Sequence, residues 1–151
     1  MDEQTLPEEL ADALVGVQRL LRRRLRAGLT VPRLRGAEVE LLRLVGSRPG
    51  IGVSDAAKEL FLAGNSVSTL VNQLVKEGHL IRETDPADRR AARLLLTDKA
   101  ETRLRDWKQR RIALVARQVA RLAPADQEAL RAALPALRAL AVNLHEEAEE
   151  S

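Results

Sequence analysis

The sequence predicts a mostly α-helical chain carrying one small β-hairpin. Three observations lead there. The chain is 45% hydrophobic but only 1% aromatic, with no tyrosine, so its apolar residues are Leu, Ala and Val, which favour helix over a β-rich sandwich. Apolar residues recur at helical spacing along most of the chain. Between His79 and Leu96 that spacing gives way to a period of two around a proline-containing turn. At 151 residues there is room for one domain with a real core, or one small module with helical arms.

The first helix is expected over 6–27, where Leu6, Leu10, Leu14, Val17 and Leu21 make one apolar stripe. Arg19, Arg22, Arg23 and Arg26 take another face, either as a solvated surface or turned to phosphates; Gly28 and Pro32 end it. A second helix, 36–46, rests on Val39, Leu42 and Val45 and stops at Gly46 and Pro49-Gly50, although Arg35-Gly36 offers no side-chain cap. Ile51, between two glycines, suits a brief strand.

A short helix from Ser54 to Leu60 follows, with Ser54 as its expected cap and Ala56, Ala57, Leu60 and Phe61 as its buried side. After a turn at Ala63-Gly64-Asn65, a longer helix runs from Ser66 to Glu77 and stops at Gly78. Val67, Leu70, Val71, Leu74 and Val75 are expected inward, leaving Asn65, Ser66, Ser68, Thr69, Asn72, Gln73 and Lys76 outward. Exposed helices are ordinarily rich in Glu and Lys, but here no acid precedes Glu77. Hydroxyls and amides both donate and accept, so they can read base edges, and the missing carboxylates avoid repelling phosphates. The plainer reading is a merely polar surface helix.

Two strands are expected at His79–Glu83 and Ala91–Leu96. Asp85-Pro86 starts the turn between them, and Asp88 is placed to brace one of Arg89 and Arg90 while the other projects. A protruding arginine suits a narrow, electronegative minor groove, and the alternative is a solubilising turn. A two-stranded ribbon is marginal alone and must pack on the helices. Helix, turn, helix and arginine-tipped hairpin in this order make a winged helix-turn-helix.

A long helix is expected from Asp98 to Leu122, opened by Thr97 or Asp98 with Glu101 as capping-box partner. A last helix follows Ala123-Pro124 with the stripe Leu130, Leu134, Leu137, Leu140, Ala141 and Leu144. Pro135 lies inside that stripe and is expected to kink or split it.

Composition excludes several functions. With no cysteine, disulfides, thiolate zinc sites and thiol redox sensing are out. The only histidines, His79 and His145, are far apart, so no metal and no cofactor is expected. There is no nucleophile elbow, phosphate loop or carboxylate pair beside a glycine-rich turn, so no catalytic residue is assigned and an enzyme is not expected. No apolar run approaches the ~20 residues of a membrane span and no signal peptide is visible, so a cytoplasmic protein without a membrane partner is expected. Net charge is +3, but arginines crowd 19–35 and 82–121 while the end, Glu146 to Glu150, is acidic. That asymmetry suits a polyanion on one surface.

The stretches VSTLVNQLVKEGHLIR and DPADRRAARLLLT carry a resemblance to the MarR family of bacterial winged-helix transcription regulators. That family often shows an asparto-proline wing start, an Asp-Arg-Arg tip and a Leu-Thr step into the next helix. Here these fall on Asp85-Pro86, Asp88-Arg89-Arg90 and Leu96-Thr97, while Leu34-Arg35 stands where the family usually has Leu-Thr or Leu-Ser. The resemblance implies a homodimer: an N-terminal dimerisation helix (1–33), a winged helix-turn-helix (34–97), and C-terminal linking and dimerisation helices (98–151), intertwined as one domain. Leu10, Leu14, Leu130, Leu137 and Leu144 would form the dimer layer, and stripes of this length exceed what a compact head can cover.

The implied partner is double-stranded DNA with a pseudopalindromic operator, bound through Ser54, Ser66, Ser68, Thr69, Asn72, Gln73, Lys76, Arg89 and Arg90, with Asp88 bracing the wing. Repression is the expected sign. The resemblance also implies release by a small, often aromatic or anionic effector. Arg22, Arg23, Arg43 and Trp107 are the residues on hand for it, although a lone tryptophan on a long helix is more often core. The rival function is a winged-helix protein-interaction module without sequence-specific DNA binding.

Overall fold

The computed structural model describes residues 5–27, 34, 36–84, 86–88 and 92–151. The described elements run α1 (Thr5–Arg26), α2 (Gly36–Ser47), α3 (Val53–Glu59), α4 (Gly64–Lys76), β1 (Leu80–Thr84), β2 (Ala92–Leu96), α5 (Asp98–Val119) and α6 (Pro124–Glu150). The chain divides into two compact units, Met1–Arg33 and Leu34–Ser151. The first consists of α1, an amphipathic helix with acid in its first turn and Arg23, Arg24 and Arg26 in its last, the charge order its dipole favours. Leu14 and its neighbours Val15, Val17 and Leu20 are exposed, and Leu10 is half-buried.

In the second unit one core joins the short helices to the hairpin. Leu41, Leu42 and Val45 of α2 meet Ala56 and Ala57 of α3, Val67, Val71 and Leu74 of α4, and Leu80 and Leu94 of the strands. Ala100 of α5 closes it. Leu41 joins this core although the 3.6-residue pattern of α2 was carried by Val39, Leu42 and Val45; Val39 is half-buried. α2 lies so close to β2 that a Cβ on Gly46 would meet Leu96 Cδ1 at 3.1 Å.

The strands pair antiparallel, with Leu80 opposite Leu96 and Arg82 opposite Leu94. The expected strand at Ile51 shrinks to a single bridge, Gly52 with Arg93. Two backbone bonds flank it: Gly50 N donates to Leu94 O (2.9 Å) and Leu94 N to Ile51 O (3.0 Å). His79 precedes β1 instead of opening it.

Helix ends differ from expectation where a cap was inferred from residue type alone. α3 begins at Val53 with Gly52 as N-cap, so Ser54 lies inside the first turn and caps nothing. α4 begins at Gly64, two residues early, with Ala63 as N-cap; the turn is therefore Leu60–Ala63. Its other end is as expected: Gly78 takes φ +79°, where a side chain would be strained. There His79 N donates to Leu74 O (2.8 Å) and Gly78 N to Val75 O (3.1 Å), closing a Schellman motif.

Thr97 caps α5, its Oγ1 accepting from Ala100 N (3.2 Å). Glu101 is one position too far along for a capping box, and Thr97 N donates to His79 O instead. α5 ends at Val119, short of Leu122. α6 runs unbroken through Pro135, which is neither a stop nor a split; the missing N–H is tolerated on a helix whose described residues are all at least partly exposed.

Candidate nucleic-acid interface

The candidate surface is the outer side of α4 beside the hairpin. Asn65, Ser66, Thr69, Asn72, Gln73 and Lys76 are exposed, as the pattern of α4 requires once Val67, Val71 and Leu74 turn inward. Ser68 is half-buried, on the edge of that face. Val75, expected inward, is 39% exposed: it falls one position past the buried Val67–Val71–Leu74 row, on the edge of the face. No described side chain caps the N-terminus of α4 and its first turn holds no acid, so the positive end of the helix dipole is open to an anion.

Among the described residues, three internal hydrogen bonds set this face. Thr69 Oγ1 donates to Asn65 O (3.0 Å), which spends its proton within the helix. Arg82 Nη2, on β1, donates to Asn72 Oδ1 (2.8 Å) and so links the hairpin to α4. Gln73 Nε2 donates to Glu77 Oε1 (2.6 Å) one turn along. Neither Arg82 nor Glu77 was singled out by sequence reasoning. The spacing of Gln73 and Glu77 was visible as an i, i+4 pair, whereas Arg82 needs the hairpin register to find Asn72.

The turn before α4 holds a second correction. Phe61, expected in the core, is 47% exposed and takes φ +53°, a left-handed conformation that costs a non-glycine residue roughly 1–2 kcal/mol. That turn carries its ring outward against His145 of α6, edge to face with centroids 5.4 Å apart. Arg48 Nη1 holds Glu59 of α3 at 3.0 Å, and His145 Nε2 lies 3.8 Å from the same carboxylate.

Beneath the end of α4, His79 is 2% exposed. Its Nδ1 finds no hydrogen-bond partner among the described residues. Burial lowers its pKa first, with Lys99 and Arg103 adding to that and Glu77 and Glu38 opposing it.

Of the wing tip, Asp88 is exposed, whereas Arg89 and Arg90 lie outside the described residues, so the bracing they were expected to share falls there too. The ligand candidates lie on three different helices. Arg22 lies on α1, along a groove of about 660 Å³ lined by Leu14, Val15, Gln18, Arg19 and Arg26 as well. Trp107 is half-buried on α5, and Arg43 is on α2. Partial burial, and then Arg111, hold the Arg43 guanidinium below its usual pKa, against the pull of Glu40. Among the described residues no group of three acids, histidines or cysteines could hold a metal ion, and no helix is long and apolar enough to cross a membrane.

A helix-turn-helix with a strand bridge, a hairpin wing and long flanking helices defines a winged-helix class. A model of the MarR family matches residues 27–91, the stretch that holds α2, the helix-turn-helix and β1. No curated protein matches the chain by sequence. Its fold is shared with solved structures over nearly the whole length. FabT of Streptococcus pneumoniae, solved in complex with DNA, is 24% identical with a TM-score of 0.75, covering 95% of this chain and 99% of FabT. A MarR family protein from Bacillus stearothermophilus is 20% identical with a TM-score of 0.77, over 94% and 99%. The PcaV transcriptional regulator of Streptomyces coelicolor, solved with its natural ligand, is 23% identical with a TM-score of 0.57, over 93% and 97%.

Proposed function

We propose that this protein is a homodimeric, sequence-specific DNA-binding transcriptional repressor of the cytoplasm, released by a small anionic or aromatic effector. The observation that carries the reading is the outer face of α4. It is polar, free of acid from Gly64 to Lys76, open at its N-terminus and tied to the wing by Arg82. In this reading Ser66, Ser68, Thr69, Asn72 and Gln73 meet base edges or adjacent phosphates, Lys76 and Ser54 meet phosphates, and Arg89 and Arg90 enter the minor groove with Asp88 behind them. Leu10, Leu14, Leu130, Leu137 and Leu144 form the dimer layer, which sets two α4 helices in successive major grooves. The DNA bound to FabT and the ligand bound to PcaV support the two halves of the reading. For the effector, Arg43 beside Arg111 offers an anion partner and Trp107 an aromatic wall.

Selection of genomic DNA fragments by the purified protein tests it. The expected yield is a pseudopalindrome with half-sites about one helical turn apart. Recovery of no motif, with protein partners captured by the same face, would replace the repressor with an interaction module.

A further inference from the structure

If α4 reads DNA as proposed above, residue types alone would assign adenine to both of its amides. Asn and Gln each pair with adenine by accepting from N6 and donating to N7. Here both amides are already half engaged, and in opposite senses. Arg82 Nη2 faces Asn72 at 2.8 Å, and a guanidinium can only donate, so the atom it faces is Oδ1. Asn72 is left with two free Nδ2 protons against one Oδ1 lone pair, a bias toward donation. Gln73 faces the Glu77 carboxylate at 2.6 Å; an ionised carboxylate can only accept, so one Nε2 proton is committed while both Oε1 lone pairs stay free, a bias toward acceptance. Both bonds involve a charged partner and are therefore roughly twice as strong as neutral ones. All four side chains are exposed, so water competes with these bonds, but it does not reverse the polarity that the charges impose.

We propose that Arg82 is a specificity-determining residue. It biases Asn72 toward donation, which selects against cytosine, the one base with no major-groove acceptor, while Glu77 biases Gln73 toward acceptance, which selects adenine or cytosine. In the major groove guanine offers O6 and N7, thymine O4 and adenine N7 as acceptors, whereas the donors are adenine N6 and cytosine N4. Arg82 acts through Asn72 as a positioning residue, and it comes from the wing. The hairpin that carries the minor-groove arginines would thus also decide what the helix reads in the major groove.

The test uses the purified full-length protein and the motif it selects from a randomised duplex library. Asn72→Ala and Gln73→Ala each locate the position they read, where base preference collapses. At the Asn72 position the wild type is expected to favour guanine, thymine or adenine over cytosine by roughly tenfold. Arg82→Met frees Oδ1 and is expected to raise cytosine toward the other bases, whereas Arg82→Lys keeps a donor and the wild-type order. Glu77→Ala is expected to relax only the Gln73 position, which gives an independent reading should Arg82→Met lose its fold by circular dichroism.

An unchanged base order in Arg82→Met overturns the inference. So does an equal loss of affinity on operator and random DNA, which would make Arg82 a phosphate contact, and so does an Asn72→Ala variant that keeps every preference. A wild type that selects no motif defeats the DNA-reading function itself, a distinguishable result.

Discussion

The head from Leu34 to Leu96 and the arm beyond it are built from the same Leu, Ala and Val, yet they use them differently. In the head, Leu41, Leu42, Val45, Val67, Val71, Leu74 and Leu94 are fully buried. In α6 the stripe is just as regular, yet none of its described residues is buried, and Leu144 is 63% exposed. Leu130, Leu134 and Val142 are exposed with it, as are Ile112 and Val115 on α5. The apolar residues of the head close on one another and on Ala100 of α5. Isolated helices gain little from propensity, so an apolar stripe of this length needs a second surface to hold its order, which the proposed dimer supplies.

Leucine truncations break this comparison most sharply. Leu74→Ala is expected to destabilise the protein by about 2–5 kcal/mol in thermal or urea unfolding, because it leaves a cavity in a closed core. The same change at Leu134 leaves no closed cavity within one chain, so its effect is expected in association. Leu130→Glu with Leu144→Glu should sediment as a monomer whose head still gives the wild-type helical spectrum. A double variant that still sediments as a dimer would move the interface elsewhere.

The junction between head and arm is worth less. Thr97 caps α5 and also donates through Oγ1 to Gly78 O (2.7 Å), tying the end of α4 to the start of α5. Thr97→Ala is expected to cost about 1 kcal/mol, read as a lowered midpoint of denaturation.

The smallest effect concerns pH. Folding lowers the pKa of His79, so below its unfolded value of about 6.5 the unfolded chain binds the proton more readily. Stability is fully present above that value and declines as the pH falls toward the folded pKa. The charged groups about it are Lys99 and Arg103 on α5, Glu38 on α2 and Glu77 after α4. His79→Gln is expected to flatten the dependence of Tm on pH between about 7.5 and 5. A wild-type Tm that is level through that range would contradict the assignment.

How far these features were legible depended on whether they are periodic. The helices, the hairpin and the acid-free face of α4 follow from spacing and residue type, and so does the Gly78 stop. What escaped is what only the assembled head decides. Ser54 looked like a cap, but Gly52, held by its bridge to Arg93, fixes the start of α3 first. Phe61 looked like core, but the turn swings it out to His145, which is 84 residues downstream and not foreseeable from local pattern. Pro135 was expected to kink or split α6, but the helix runs on unbroken, with none of its described residues buried. Arg82 was invisible for the same reason as Phe61, because its partner is set by tertiary placement.

The central claim is that the face of α4 meets a polyanion and reads it. The most direct measurement is the affinity of the purified protein for its selected duplex, and for a scrambled one, across a salt series. The expected result is a linear fall of log K with log salt, with a slope of about −0.9 per phosphate contacted on both duplexes, and tighter binding to the selected duplex throughout. Affinity indifferent to salt, or equal on the two duplexes at every salt concentration, would contradict it.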